Sequence, residues 1–170
     1  MNKKLTYDAP AQSFTEALPL GNGSLGAMVY GGVPEEKITL NYDTFWSGTG
    51  HREEKEIAEE TLAYVRKLIF EGEFWKAEQY IKKHMLGFYN ESYMPLGTLN
   101  YVFTDIGEIS QYSRSLDLET AVLTEEFQSA GTVYTSQMFL SNPAKALVIK
   151  IVTYGNHKLN LNVRLGSEVY

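Results

Sequence analysis

With 170 residues, no cysteine and a formal net charge of −6 from 15 basic and 21 acidic side chains, the chain is sized for one domain with a substantial buried core. Disulfide frameworks and thiolate metal sites are excluded, and His51, His84 and His157 lie too far apart in sequence to suggest a zinc cluster. The charge is spread without blocks, which argues against a phosphate-tracking surface and makes nucleic acid an unexpected partner.

The first eight residues, Met1 to Asp8, carry two lysines but no apolar run behind them, so they do not form a signal peptide. No apolar run approaches membrane-spanning length. The expectation is a cytoplasmic chain with no membrane partner, or an extracellular one if a leader has been removed. Lys4 to Tyr7 reads as an edge strand ahead of Ala9-Pro10-Ala11.

Ala17 to Gly48 is the most informative stretch. Gly21, Gly23 and Gly26 spell G-x-G-x-x-G, but Ala27 to Tyr30 runs straight into Gly31-Gly32, leaving no helix to hold a pyrophosphate. A β-meander fits better. Asn22-Gly23 suits a tight turn, Gly31-Gly32-Val33-Pro34 makes a second, and Lys37 to Asn41 alternates polar and apolar side chains. The meander presents Asn41, Asp43, Thr44 and Trp46 at a strand end. An indole face can cover the C–H face of a pyranose while short amide and carboxylate groups bond its hydroxyls. The same cluster also suits a packed corner, with Asp43-Thr44 capping a turn.

After Gly48 the periodicity becomes helical. Ile57, Thr61, Tyr64 or Val65, and Leu68 predict an amphipathic helix over about 54–70, stopped by Gly72. Phe74, Ala77, Ile81 and Met85 predict a second helix up to Leu86-Gly87, with Trp75 and Tyr80 off its apolar stripe. His84 near that helix end reads as structural, since no companion metal ligand is visible.

Strands then return. Phe88 to Pro95 is a loop rich in rings and amides, and Leu96 to Phe103, Tyr112 to Leu118, Ala121 to Gln128 and Thr132 to Leu140 read as strands, with a hairpin turn at Ala130-Gly131. Ala146 to Tyr154 is apolar enough to be buried on one or both faces, and Leu159, Leu161, Val163 and Leu165 alternate strictly with polar residues. Strands roughly every ten residues with hairpin turns between them indicate an antiparallel sandwich.

Glycosidase chemistry needs two carboxyls flanking the bond. Glu53, Glu54, Glu56, Glu59 and Glu60 fall on a solvated helix face; Asp43, Asp105, Asp117 and Glu119 are better placed, but no spacing pairs them. Ser24 does not sit in a nucleophile elbow.

Two segments, Ala17 to Gly32 (ALPLGNGSLGAMVYGG) and Ile38 to Gly48 (ITLNYDTFWSG), resemble the opening of family 95 glycoside hydrolases, the α-L-fucosidase type. Val65 to Glu78, Pro95 to Leu99, Tyr112 to Ala121 and Val133 to Pro143 extend the resemblance, in the family's order, across nearly the whole chain. Departures occur at Tyr42, where Glu is usual, at Met94, where Gln is common, and at Ser136, where Arg is frequent. The resemblance implies a β-super-sandwich that packs through a helical linker onto an (α/α)6 barrel. That barrel carries the general acid and the water-activating residues for inverting hydrolysis of fucosyl linkages.

The expected fold is therefore mainly β: an antiparallel β-sandwich, part of a super-sandwich, with a helical hairpin insertion at about 50–87. One N-terminal domain covers 1–170, cut short on its C-terminal side, with the helical insertion at 53–86. The expected function is that of a non-catalytic segment shaping the substrate site of the barrel. Asn41, Asp43, Thr44 and Trp46 bind substrate, with no catalytic residue, metal or cofactor in this segment. Expected partners are the barrel, fucosylated or related glycans, and further copies of the chain through exposed strand edges. The alternative is a free-standing carbohydrate-binding or assembly module.

Overall fold

The computed structural model describes residues 3–48, 56–87 and 91–167, in two compact units, Met1–Phe45 with Met94–Tyr170, and Trp46–Tyr93. The first unit holds β1 (Lys4–Tyr7), β2 (Leu18–Gly21), β3 (Leu25–Val29), β4 (Glu35–Tyr42), β5 (Gly97–Phe103), β6 (Ile109–Asp117), β7 (Val122–Ser129), β8 (Thr132–Ser141), β9 (Ala146–Tyr154) and β10 (Leu161–Gly166). These form two antiparallel five-stranded sheets, ordered β1-β6-β7-β8-β9 and β10-β5-β4-β3-β2.

Side chains alternate across each strand, and one face of each sheet supplies the core. Leu18, Leu20, Ala27, Val29, Ile38, Tyr101 and Phe103 come from one sheet; Leu116, Leu123, Phe127, Tyr134 and Met138 come from the other. The aromatic centre is specific in its geometry. Phe127 stacks on Tyr134 at 4.8 Å, and Phe103 meets both rings edge-on, at 5.2 and 5.7 Å.

Turn chemistry sets the register. Asn22 Oδ1 accepts the N–H groups of Ser24 and Leu25 and closes the β2–β3 hairpin. Ala130 and Gly131 both have positive φ, 47° and 76°, the twist that a two-residue hairpin between β7 and β8 requires. In β6 a bulge between Ser110 and Ser113, with Gln111 at φ 52°, resets the alternation, so that both Ile109 and Tyr112 turn toward the core.

Burial falls off at β9 and β10, each the last strand of its sheet. Val163 and Leu165 pair with Tyr101 and Leu99 but remain 65% and 73% exposed on β10, the outermost strand. β9, expected to be buried on one or both faces, packs Leu147, Ile149 and Ile151 against the core but is only half-buried along its apolar length.

The second unit contains α1 (Glu59–Phe70) and α2 (Phe74–His84). Val65 and Leu68 of α1 and Ala77 of α2 are its buried side chains. α1 begins at Glu59, later than the expected residue 54: Ala58 is still extended, and Glu59 and Glu60 place negative charge in the first turn where the helix dipole favours it. Residues 54 and 55 of that expectation lie outside the described residues. Gly72, at φ 78°, ends the helix. Phe74, expected on the inner stripe, opens α2 and is exposed, as is Trp75. Tyr80 meets Tyr64 edge-on at 4.7 Å and stacks on His84 at 4.3 Å.

The insertion does not interrupt the sheet. β4 and β5 pair directly from Glu35↔Val102 to Leu40↔Gly97, Leu96 N–H donates to Leu40 O at 3.2 Å, and Met94 N–H donates to Phe45 O at 3.0 Å.

Candidate functional site

Three of the four expected glycan-binding residues sit on one exposed stretch of the first unit. Asn41 is near the end of β4, opposite Gly26. The chain then turns, with Asp43 N–H donating to Ser24 O at 3.0 Å and Phe45 N–H to Tyr42 O at 3.1 Å. This leaves Asn41, Asp43 and Thr44 exposed in succession. The neighbouring hairpin is pinned by the Asn22 amide, which donates to Ser141 O at 3.0 Å.

Trp46 belongs to the second unit, where its surroundings are well defined. It forms an isolated β-bridge with Tyr93, and the two rings meet edge-on at 4.9 Å and 69°. Ser47 N–H donates to Ser92 O, and Ser92 N–H to Ser47 Oγ, both at 2.8 Å. The Ser47 hydroxyl donates to Glu91 Oε2 at 3.3 Å. Gly48, at φ 81°, leaves the space that the Glu91 carboxylate occupies; a Cβ there would collide with it. Trp46 remains 51% exposed, so ring faces, a carboxylate and a hydroxyl share one accessible corner. Glu91 and Tyr93 were not legible as its companions, because the two short segments that meet here are separated by both helices.

Three of the four acidic residues that seemed best placed, Asp105, Asp117 and Glu119, are occupied with local structure. Asp117 Oδ1 accepts the N–H groups of Glu119 and Thr120, and its carboxylate lies 3.8 Å from Lys4 Nζ. Asp105 accepts from Asn160, and Glu119 pairs with Lys3 at 2.7 Å on the surface.

The sequence reading passed over Glu36 and Glu125, which meet inside the sandwich at 0% and 5% exposure, one from each sheet. Glu36 Oε1 accepts the N–H groups of Tyr30 and Gly31 at 3.1 and 3.0 Å, and Glu125 Oε1 lies beside the same Gly31, 3.4 Å from where its side chain would begin. Arg114, 2% exposed, lies beside them: its guanidinium donates to Ala9 O at 2.8 Å and Glu16 O at 2.9 Å and covers the Tyr7 ring at 4.5 Å. Glycosidase carboxyls stand about 5–9.5 Å apart around a substrate. This pair is enclosed in the core and closed to solvent, so no sugar reaches it.

Among the described residues no group of three or more His, Asp or Glu side chains is placed to hold a metal ion, and no helix is long and apolar enough to cross a membrane.

These features define a β-sandwich domain with a helical insertion and an exposed aromatic and carboxylate corner. Residues 5–169 match the glycosyl hydrolase family 65 N-terminal domain, and the chain belongs to that family of glycoside hydrolase N-terminal domains. It is 34% identical, over 98% of its length, to alpha-L-fucosidase 2 of Arabidopsis thaliana. It is 32% and 31% identical, over 88% of its length, to probable alpha-fucosidases A of Aspergillus oryzae and Aspergillus niger. The chain spans about a fifth of the length of these relatives: 20%, 21% and 20%.

Proposed function

We propose that this chain is the N-terminal sandwich segment of an α-L-fucosidase-like glycoside hydrolase of the family 95 type. In this reading it packs on an (α/α)6 barrel that performs the cleavage, and it contributes Asn41, Asp43, Thr44 and Trp46 to the substrate-facing rim. The observation that carries it is the 34% identity to an α-L-fucosidase across 98% of this chain. The corner around Trp46 supports the glycan-facing role, since an accessible indole beside Tyr93, Ser47 and Glu91 offers C–H stacking and hydroxyl recognition together.

The test compares the 170-residue chain with a longer protein that carries it joined to a barrel. Aryl-fucoside turnover is expected only from the longer protein, and Trp46→Ala there is expected to lower kcat/KM about tenfold, the equivalent of one lost stacking contact of about 1.4 kcal/mol. Turnover by the short chain itself, abolished by a point change within it, would overturn the non-catalytic role. The exposure of the Trp46 corner favours one second reading, a free-standing glycan-binding module. Tight binding to a glycan array by the short chain alone would select that reading.

A further inference from the structure

The buried meeting of Glu36 and Glu125 poses a problem of hydrogen-bond accounting. With both groups ionised, Glu36 Oε2 and Glu125 Oε1 are enclosed and have no donor. Two adjacent carboxylates shielded from water also repel each other strongly. A single proton between them removes both difficulties, satisfying one oxygen as donor and the other as acceptor.

The surroundings decide which side carries the proton. Glu36 already accepts two backbone N–H groups, which favour its charged form, whereas Glu125 has no such donors. Glu125 is therefore the donor and Glu36 the acceptor. The other groups facing the pair come from three strands. Arg114 on β6 supplies one positive charge to balance the one remaining negative charge. Tyr112 on β6 gives its hydroxyl hydrogen to Gly31 O at 2.6 Å. The hydroxyl of Tyr101 on β5 is enclosed without a hydrogen-bond partner, and Ser136 on β8 is buried as well. Both tyrosines are held above their ordinary values by burial and the nearby carboxyls, so neither ionises in the neutral range.

We propose that Glu36 and Glu125 share one bound proton that fastens the two sheets to each other, and that its release at alkaline pH loosens the sandwich. Glu36 lies on β4 and Glu125 on β7, so the shared hydrogen bond crosses the core from sheet to sheet. Once the proton leaves, two like charges face each other at the same place.

The sign follows from linkage. Burial, followed by the Glu36 charge, raises Glu125 well above the ordinary 4.5. The folded chain therefore keeps one proton that the unfolded chain has lost. The resulting stabilisation is complete below 4.5 and disappears as the pH rises through the raised folded value of the pair.

The experiment is urea unfolding of the 170-residue chain from pH 5 to pH 9, with Glu125→Gln beside it. The Gln amide can donate to Glu36 without a titrating proton. The expected result is an unfolding constant that depends on pH more steeply in the wild type than in Glu125→Gln, by about tenfold per pH unit near neutrality, the signature of one proton. Parallel pH profiles for the two proteins would overturn the proposal. A carbon-detected carboxyl titration of the wild-type chain is run alongside and decides the matter if the variant does not fold. A Glu125 carboxyl still protonated at pH 7 supports the shared proton, and one ionised by pH 5 refutes it.

Discussion

The Tyr112 hydroxyl donates to the carbonyl of Gly31 at 2.6 Å, and it lies where a side chain on Gly31 would begin. Gly31 has φ 73°, and a Cβ there would also come within 2.8 Å of Arg114 Cδ. Gly31→Ala thus combines backbone strain with a collision in a packed interior. The expected cost is about 2–4 kcal/mol, read as a drop in Tm of about 5–15 °C. Gly72→Ala is the control: Gly72 has a similar φ of 78° but open space around it, so only the strain, about 1 kcal/mol, is expected.

Arg114→Met retains much of the side-chain volume but removes the donors to Ala9 O and Glu16 O and the positive charge beside Glu125. Two carbonyls then lose a charged donor, and the remaining negative charge of the carboxyl pair loses its counterion. A destabilisation of about 3–5 kcal/mol is expected, seen as a lower urea midpoint with little change in slope. Arg66→Met, on α1, provides a comparison outside this cluster.

Asp117 governs part of the acid limb. Backbone N–H groups of Thr120 and Glu119 hold its carboxyl below the ordinary 3.8. Its folded value is therefore depressed, so its contribution is present above 3.8 and is lost as the pH falls through the lower folded value. Asp117→Asn is expected to flatten the wild-type loss of stability below pH 4, measured by thermal melts from pH 2 to pH 5.

Val163 and Leu165 expose apolar surface on an outermost strand, which invites pairing with another chain. Self-association of the 170-residue chain is expected in sedimentation velocity, and Val163→Lys with Leu165→Lys is expected to shift it toward monomer. The double variant should change Tm by no more than about 2 °C, since neither side chain is buried.

The strand pattern was legible because period two survives in almost every segment. It even aimed the acidic pair: Glu36 shares a strand face with Ile38 and Leu40, as Glu125 does with Leu123 and Phe127. Their meeting was not legible, because contact between sheets depends on stacking that local periodicity does not encode. The bulge at Gln111 hid only that Ile109 joins Tyr112 on the inward face; the alternation of Tyr112, Arg114 and Leu116 was itself legible. The exposed stretch Asn41 to Thr44 could be placed at a strand end, but Trp46 acquires Tyr93 and Glu91 only through a bridge spanning the helical insertion. Val163 and Leu165 keep the expected alternation, yet stay exposed on a strand at the end of its sheet.

The hydrogen bond from Met94 to Phe45 closes the sheet's ladder across the helical hairpin, and β4 meets β5 in continuous register just beyond it. The excursion thus leaves and re-enters at a single doorway, so its length and content can change while the strands on either side keep their register. Grafting a short Gly-Asn linker in place of Trp46–Tyr93 would therefore preserve the scaffold while deleting the aromatic corner, leaving the ten strands to fold without the hairpin.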